Sequence, residues 1–361
     1  MKRATVVKGL NKLRRIIERP ESRRVKRVNL AVTYMCDSRC LTCNIWKRYR
    51  REPGLASREL TVGEYERLFE SSCLRSVDEV LITGGEPFLR RDLPSLYGRL
   101  AARLPAAAFV VSTNGLRRER IIAHLGEMMT GAGAESPPAV VFSLDGLGPA
   151  HDRVRGVAGG FERTVGTMKE VARRFKDIRL AVSFTITRDN YRELRSVHAL
   201  ASELGAGFTM RFFAESPGYY ANEGTAAAWS EAELDEVDEA VREVTERMAS
   251  QRNALVRLLN PDIYFFRRLV DYQRNPRRLH RCFSGTHSFF LDPAGHVYPC
   301  IFLDRPMGNI RERPFDELWL DRAAVQTRRF IESGQCHCWS ECEVLPSLQR
   351  RLFGRGGALN D

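Results

Sequence analysis

Between residues 28 and 213, short β-rich runs alternate with amphipathic stretches of helical period at intervals of about 30 residues. Few folds accept this rhythm, because strand, helix and strand close most readily as a right-handed βαβ unit on a parallel sheet. The pattern predicts strands over 28–34, 78–83, 107–113, 139–144, 178–186 and 207–213. It predicts helices over 61–72, 92–103, 117–129, 161–175 and 191–204, and a longer acidic one over 230–250. Six units are fewer than the eight that close a full barrel. The expected fold class is therefore α/β, a partial (β/α)6 TIM-like barrel, with a small C-terminal cysteine-rich extension. With 361 residues, 43% hydrophobic and 28% charged, the chain has apolar material for one large domain and a small one, which excludes a disordered or fibrous protein.

In folds of this kind the chemistry sits on loops beyond the carboxyl ends of the strands. The first predicted strand runs into the loop Met35-Cys36-Asp37-Ser38-Arg39-Cys40-Leu41-Thr42-Cys43, and the second into Thr83-Gly84-Gly85-Glu86-Pro87. The third ends at Thr113-Asn114-Gly115, the fourth at Ser143-Leu144-Asp145-Gly146 and the fifth at Thr187-Arg188-Asp189-Asn190. Asn-Gly and Asp-Gly are ordinary turn formers when met singly. A parallel sheet gathers all five at one mouth, and that makes them a candidate site.

Of nine cysteines only Cys73 stands apart, in an apolar run where a buried small hydrophobe is expected. Cys36, Cys40 and Cys43 form one group; Cys282, Cys300, Cys336, Cys338 and Cys342 form the other. In a reducing compartment such groups point to metal sites rather than disulfides. Three thiolates in one loop are one short of closing a tetrahedral zinc site or a four-cysteine iron–sulfur site, so a cluster held here keeps one iron open. Zinc completed by a distant cysteine is the alternative.

The C-x3-C-x2-C loop after the first strand and Gly-Gly-Glu-Pro after the second resemble the radical S-adenosylmethionine (radical SAM) superfamily. The resemblance runs from about residue 28 to about 345. It implies that Cys36, Cys40 and Cys43 ligate a 4Fe-4S cluster whose open iron chelates SAM. One electron then cleaves SAM to methionine and a 5′-deoxyadenosyl radical, which takes a hydrogen atom from an unactivated C–H of substrate, giving oxidation, crosslinking or rearrangement. It also implies that Gly84 and Gly85 let backbone approach the SAM amino group, that Glu86 fixes the loop or the ammonium, that Ser143 meets the ribose, and that Arg155 meets the SAM carboxylate. Asn114 is a further pocket candidate. Thr42 departs from the family, in which an aromatic residue often precedes the third cysteine; Tyr34 and Trp46 are the candidates for the adenine contact. An electron donor such as flavodoxin or ferredoxin is the implied protein partner.

Cys282, twelve residues, Gly295, four residues and Cys300 resemble the opening of the SPASM and shorter twitch extensions of that superfamily. A full SPASM domain generally brings seven cysteines and two auxiliary clusters, so the five here imply one auxiliary 4Fe-4S cluster. Cys282, Cys300, Cys338 and Cys342 are its expected ligands, with Cys336 as the alternative to Cys338. A zinc knuckle is the competing reading for this region. His287, His296 and His337 are nearby metal-ligating types, more often found supporting ligands than serving as them.

Net charge is +12, of which residues 1–28 carry +9, from eleven Lys/Arg against Glu18 and Glu21. Val6, Leu10, Leu13 and Ile17 recur there at helical spacing ahead of Pro20, predicting a basic amphipathic arm over 1–21 that suits an anionic membrane surface, or less well a nucleic acid. The rest divides into a barrel (22–229), a helical bridge (230–277), the auxiliary domain (278–346) and a basic tail (347–361). No apolar run approaches the roughly 20 residues of a membrane span. Nor do the first 28 residues read as a secretory signal, so a cytoplasmic location, with the arm able to reach the inner membrane surface, is expected. Two rivals come from other classes. One is an iron–sulfur electron carrier, which has no need of Gly-Gly-Glu-Pro, Ser143 and Arg155. The other is a zinc-stabilised nucleic-acid-binding protein, with Tyr264, Phe265, Phe266 and Tyr272 among the basic residues of 267–281.

Overall fold

A computed structural model describes residues 24–131, 136–225, 227–250 and 260–353. Six strands, β1 (Arg27–Ala31), β2 (Glu79–Thr83), β3 (Ala108–Thr113), β4 (Ala139–Ser143), β5 (Leu180–Ile186) and β6 (Gly207–Phe212), lie in parallel in chain order. Helices Val62–Leu68, Leu93–Arg103, Arg118–Thr130, Gly160–Arg174 and Leu194–Glu203 fill the predicted gaps. The Val62–Leu68 helix opens with a capping box in which Thr61 and Glu64 satisfy each other's backbone N–H groups. No closed barrel forms, as six units require.

The two-residue period of each strand sorts its side chains between a core and an inner hollow. Val80 and Ile82, Phe109 and Val111, Val140 and Phe142, and Val182 and Phe184 are buried in one hydrophobic core. The alternate residues Asn29, Leu81, Ser112, Ser143, Ser183 and Thr209 face a cavity instead. A full barrel fills its interior with layers of bulky branched side chains. Mostly small or polar residues at these positions leave it open.

Two features lie outside the predicted pattern. Gly148–Arg155 is a helix, with Pro149 in its first turn and Gly156 ending it in the left-handed region at φ 65°. More consequential is the extension. Strand β7 (Ser288–Leu291) pairs in parallel with β1, Arg27 opposite Ser288, and two short antiparallel strands, β8 (His296–Tyr298) and β9 (Gly308–Asn309), follow it. One nine-stranded sheet results, ordered β6-β5-β4-β3-β2-β1-β7-β8-β9. The core is equally continuous, taking in Leu234 and Val241 of the acidic helix Glu231–Ser250 as well as Phe289, Trp319 and Trp339 of the extension.

Cys73 is buried as expected, 2% exposed. Phe265 and Phe266 are buried in the core, which removes both rings from any stacking on bases. The basic arm over 1–21 and most of the basic tail lie outside the described residues. Among the described residues no helix is long and apolar enough to cross a membrane.

Candidate functional site

The open end of the sheet surrounds a cavity of about 590 Å³, and Cys36, Cys40, Cys43, Gly84, Gly85, Asn114, Ser143 and Arg155 all line it. Each comes from a strand end or the loop after it, Arg155 excepted, which ends the helix Gly148–Arg155.

The cysteine loop is held on two sides by backbone. On one, the β1–β2 ladder continues past both strands: Val32 N–H donates to Thr83 O (2.9 Å), Gly85 N–H to Thr33 O (2.7 Å) and Glu86 N–H to Met35 O (2.7 Å). A Cβ at Gly84, where φ is 151°, lies 2.6 Å from Thr33 O, and one at Gly85 collides with Met35 O. The space these glycines leave is thus occupied by the loop's own backbone, a use the sequence did not reveal. On the other side Arg39 N–H donates to Arg155 O (3.0 Å) and Leu41 N–H to Val154 O (2.9 Å). There a Cβ at Gly156 collides with Arg39 O.

Glu86, 1% exposed, ties neighbouring loops together. Its carboxylate accepts from Phe88 N–H (3.1 Å), Thr113 Oγ1 (2.9 Å) and Asn114 N–H (2.7 Å), while burial pushes its pKa up to about 7. Of the two expected uses of Glu86, loop fixing is the one with observed partners. Asn114 then donates to Asp37 Oδ1 (2.8 Å) and Ser38 Oγ (3.0 Å), inside the cysteine loop. Arg155 Nη1 pairs with Asp145 Oδ2 at 3.1 Å, and Asp145, 1% exposed, also accepts from Thr185 N–H (2.7 Å). Trp46 lines the cavity, as does Thr42. Tyr34 does not join them: its hydroxyl donates to Asp292 Oδ2 (2.9 Å) and the Arg48 guanidinium covers its ring, 4.9 Å from the centroid.

Two observations test whether this chamber fits an iron–sulfur cluster with SAM. Burial pushes all three thiols up, Cys43 to about 12, a shift that a bound cation opposes. Six buried polar atoms on the cavity wall have no partner: Arg27 Nε, Asn29 Oδ1, Trp46 Nε1, Arg155 Nε, Thr209 Oγ1 and Glu341 Oε2. Each costs about 1–3 kcal/mol if left so. A polar ligand satisfies them, and the residues fit the group. Across the chamber Arg211 donates to Ser183 Oγ (2.9 Å) and pairs with Glu341, joining β6 to the C-terminal helix Glu341–Phe353.

A second cavity of about 290 Å³ is lined by Cys282, Cys300, Cys336 and Cys338. Cys342 faces the main cavity, yet its charge and that of Cys282 both act on Cys338. The second cavity thus brings Cys336 and Cys338, the two expected alternatives, together with Cys282 and Cys300. Ala214 and Phe302 belong to both cavity walls, so the chambers are neighbours. Trp339, between Cys338 and Cys342, is packed in the core, where its Nε1–H donates to Phe265 O (2.9 Å). Among the described residues no three His, Cys, Asp or Glu side chains converge on one point as a single-ion site.

The three expected histidines have partners: His296 Nδ1 is 3.0 Å from Asp292, His337 Nδ1 3.0 Å from Tyr272 Oη and His287 Nδ1 3.1 Å from Thr286 Oγ1. The sequence analysis did not single out His280, which lines the second cavity. Nor did it give roles to Asp145, Arg211 or Glu341.

Comparison with known proteins agrees with this arrangement. Residues 30–201 match the radical SAM superfamily, and residues 282–343 match the iron-sulfur cluster-binding domain SPASM. An AdoMet-dependent heme synthase of Methanosarcina barkeri is 25% identical over 349 residues, spanning 90% of this chain and 91% of the relative. The sporulation killing factor maturation protein SkfB of Bacillus subtilis is 23% identical over 321 residues, 87% of this chain and 69% of the relative. In fold, the chain is similar to Streptococcus suis SuiB bound to the precursor peptide SuiA, with a TM-score of 0.61 and 16% identity over 90% of this chain and 71% of SuiB. With both cysteine groups inside matched regions and the glycine motif between them, the chain belongs to the radical SAM superfamily and carries a SPASM iron–sulfur domain at its C-terminal end.

Proposed function

We propose that this enzyme takes a hydrogen atom from an unactivated C–H of its substrate, and that the substrate radical either rearranges or gives one electron to the auxiliary centre and loses a proton, for a net oxidation or crosslink. When bound, a 4Fe-4S cluster with one open iron supplies the electron that cleaves SAM to methionine and the 5′-deoxyadenosyl radical. The observation that carries the reading is a single chamber that has three desolvated thiols at one end and unsatisfied polar groups around its wall. Cys36, Cys40 and Cys43 hold the first cluster. Trp46 takes the adenine contact, Ser143 the ribose and Arg155 the carboxylate, while Asn114 and Glu86 hold the cysteine loop in shape. The Arg27, Asn29, Thr209 and Arg211 side of the chamber receives substrate, with the radical kept from water by the surrounding walls. One auxiliary cluster sits on Cys282, Cys300, Cys338 and one of Cys336 and Cys342, in the cavity that shares Phe302 with the chamber. A flavodoxin or ferredoxin delivers the first electron.

Relatives named heme synthases span nine-tenths of the chain, so an iron tetrapyrrole with carboxylate side chains is the first substrate to try, its carboxylates facing Arg27 and Arg211. Anaerobically reconstituted protein, given SAM and dithionite, is expected to yield 5′-deoxyadenosine and methionine even without substrate. Absence of both from protein loaded with iron and sulfide counts against the enzyme. A product yield that iron coproporphyrin leaves unchanged counts only against the tetrapyrrole.

Arg155 is tested by two substitutions. Arg155→Ala strands Asp145, and breaking a buried pair costs about 3–5 kcal/mol of stability. Arg155→Lys keeps the charge but loses the fork. It is expected to weaken SAM binding by about 1.5–3 kcal/mol, tenfold or more by equilibrium dialysis, with iron content unchanged. Wild-type affinity in the Lys variant removes Arg155 from the SAM site.

A further inference from the structure

His280 is the one histidine among the described residues with both ring nitrogens buried and unpartnered. It is 9% exposed and lines the same cavity as Cys282, Cys300, Cys336 and Cys338. Its orientation is set by Trp339, whose ring it meets edge-on at 5.7 Å and 79°. Trp339 is in turn fixed by its hydrogen bond to Phe265 O and by stacking on the Phe265 ring, 15° from parallel. A rigid, desolvated imidazole aimed at nothing in the protein is costly, unless the cavity's occupant accepts its proton.

We infer that His280 is a positioning and tuning residue of the auxiliary centre, donating its ring N–H to a sulfur of the cluster held by the second cysteine group. The inference rests on the proposed auxiliary cluster. Four cysteines already line the cavity, enough to ligate every iron of a cubane, which leaves the imidazole outside the ligand set. A neutral imidazole carries one N–H, and cluster sulfurs are acceptors. Donation of this kind stabilises the more negative, reduced cluster and so raises its reduction potential. Raising that potential makes the centre a better acceptor of the electron left on substrate. Of the other polar groups on the cavity wall, Glu343 is taken by Ser284 and Ser288, and Arg278 by the carbonyls of His280, Ile331 and Glu332.

The experiment uses the full-length chain with Cys36, Cys40 and Cys43 all changed to Ala, reconstituted with iron and sulfide so that the auxiliary cluster is observed alone. Its midpoint potential is measured by EPR-monitored redox titration with His280 intact, with His280→Phe and with His280→Gln. The Phe variant keeps a ring and loses the donor, and its potential is expected to fall while iron and sulfide content stay constant. The Gln variant keeps an N–H and is expected to recover part of the shift. Equal potentials in all three forms overturn the inference and leave His280 without a bond to the cluster. Loss of iron from either variant overturns it in favour of a ligand or a purely structural group. If the triple variant holds no cluster even with His280 present, the auxiliary-cluster reading itself fails, and the inference with it.

Discussion

Replacing Cys36, Cys40 and Cys43 together by Ala is expected to abolish SAM cleavage and to remove about half the iron and acid-labile sulfide, since one of two four-iron clusters is lost. Product formation should drop below detection, because the loop then has no thiolate left to hold iron. The other cysteine group should keep its share. It lies in a second chamber, and no cysteine of the first loop lines that chamber. The measurement is iron and sulfide analysis beside quantified 5′-deoxyadenosine after anaerobic reconstitution. Retained cleavage contradicts the proposed ligand set; disappearance of all the iron contradicts two independent centres. Zinc without sulfide in the wild-type protein contradicts both.

Gly85→Ala should be nearly as damaging although it changes one methyl group. The added Cβ meets the Met35 carbonyl and the Tyr34 carbonyl at 2.8 Å, backbone atoms on the entry to the cysteine loop. Flexible side chains yield to such intrusions, but here only the spacing of two hydrogen-bonded segments can yield. Overpacking of this kind costs about 1–3 kcal/mol and sometimes more. We expect the upper end in urea unfolding, together with a large loss of the first cluster, because the shift falls on the segment leading into Cys36. Gly98→Ala is the control. Gly98 lies within the helix Leu93–Arg103 with nothing inside 4 Å of a new Cβ, and the change should stabilise by up to about 1 kcal/mol. A Gly85 variant as stable and iron-rich as the control contradicts the close approach.

What was legible in the sequence followed from local periods and short spacings. The six parallel strands stood out because each is a short run rich in β-branched and aromatic residues, as in Val140, Val141 and Phe142, that ends in turn or polar residues. The residues of the cysteine and glycine loops were legible because each motif is contiguous. Asp145 was visible only as part of an Asp-Gly turn, since its partner Arg155 is ten residues away on a helix that the pattern did not announce. The short strand β7 has four residues, all buried, a run too brief and too uniformly apolar to show a period. Arg211 with Glu341 and the surroundings of His280 depend on packing between distant segments, and no local rule reports that. The close backbone neighbours of the glycines, Thr33 and Met35, were not legible, because the motif does not report which segment packs against it.

The pairing of β1 with β7 also sets a timetable for biosynthesis. Arg27 leaves the ribosome about 260 residues before Ser288, its partner across the ladder. At about 5–20 residues per second, that is an interval of roughly 10–50 seconds. During it β2 can dock on one side of β1 while the other side shows bare amide and carbonyl groups, the template that invites pairing with a foreign strand. Any nascent chain released before Ser288 keeps that edge for good. Early termination therefore does more than delete the second cysteine group: it turns the strand leading into the first cysteine loop into a sticky margin, and such fragments should aggregate rather than survive as a smaller working barrel.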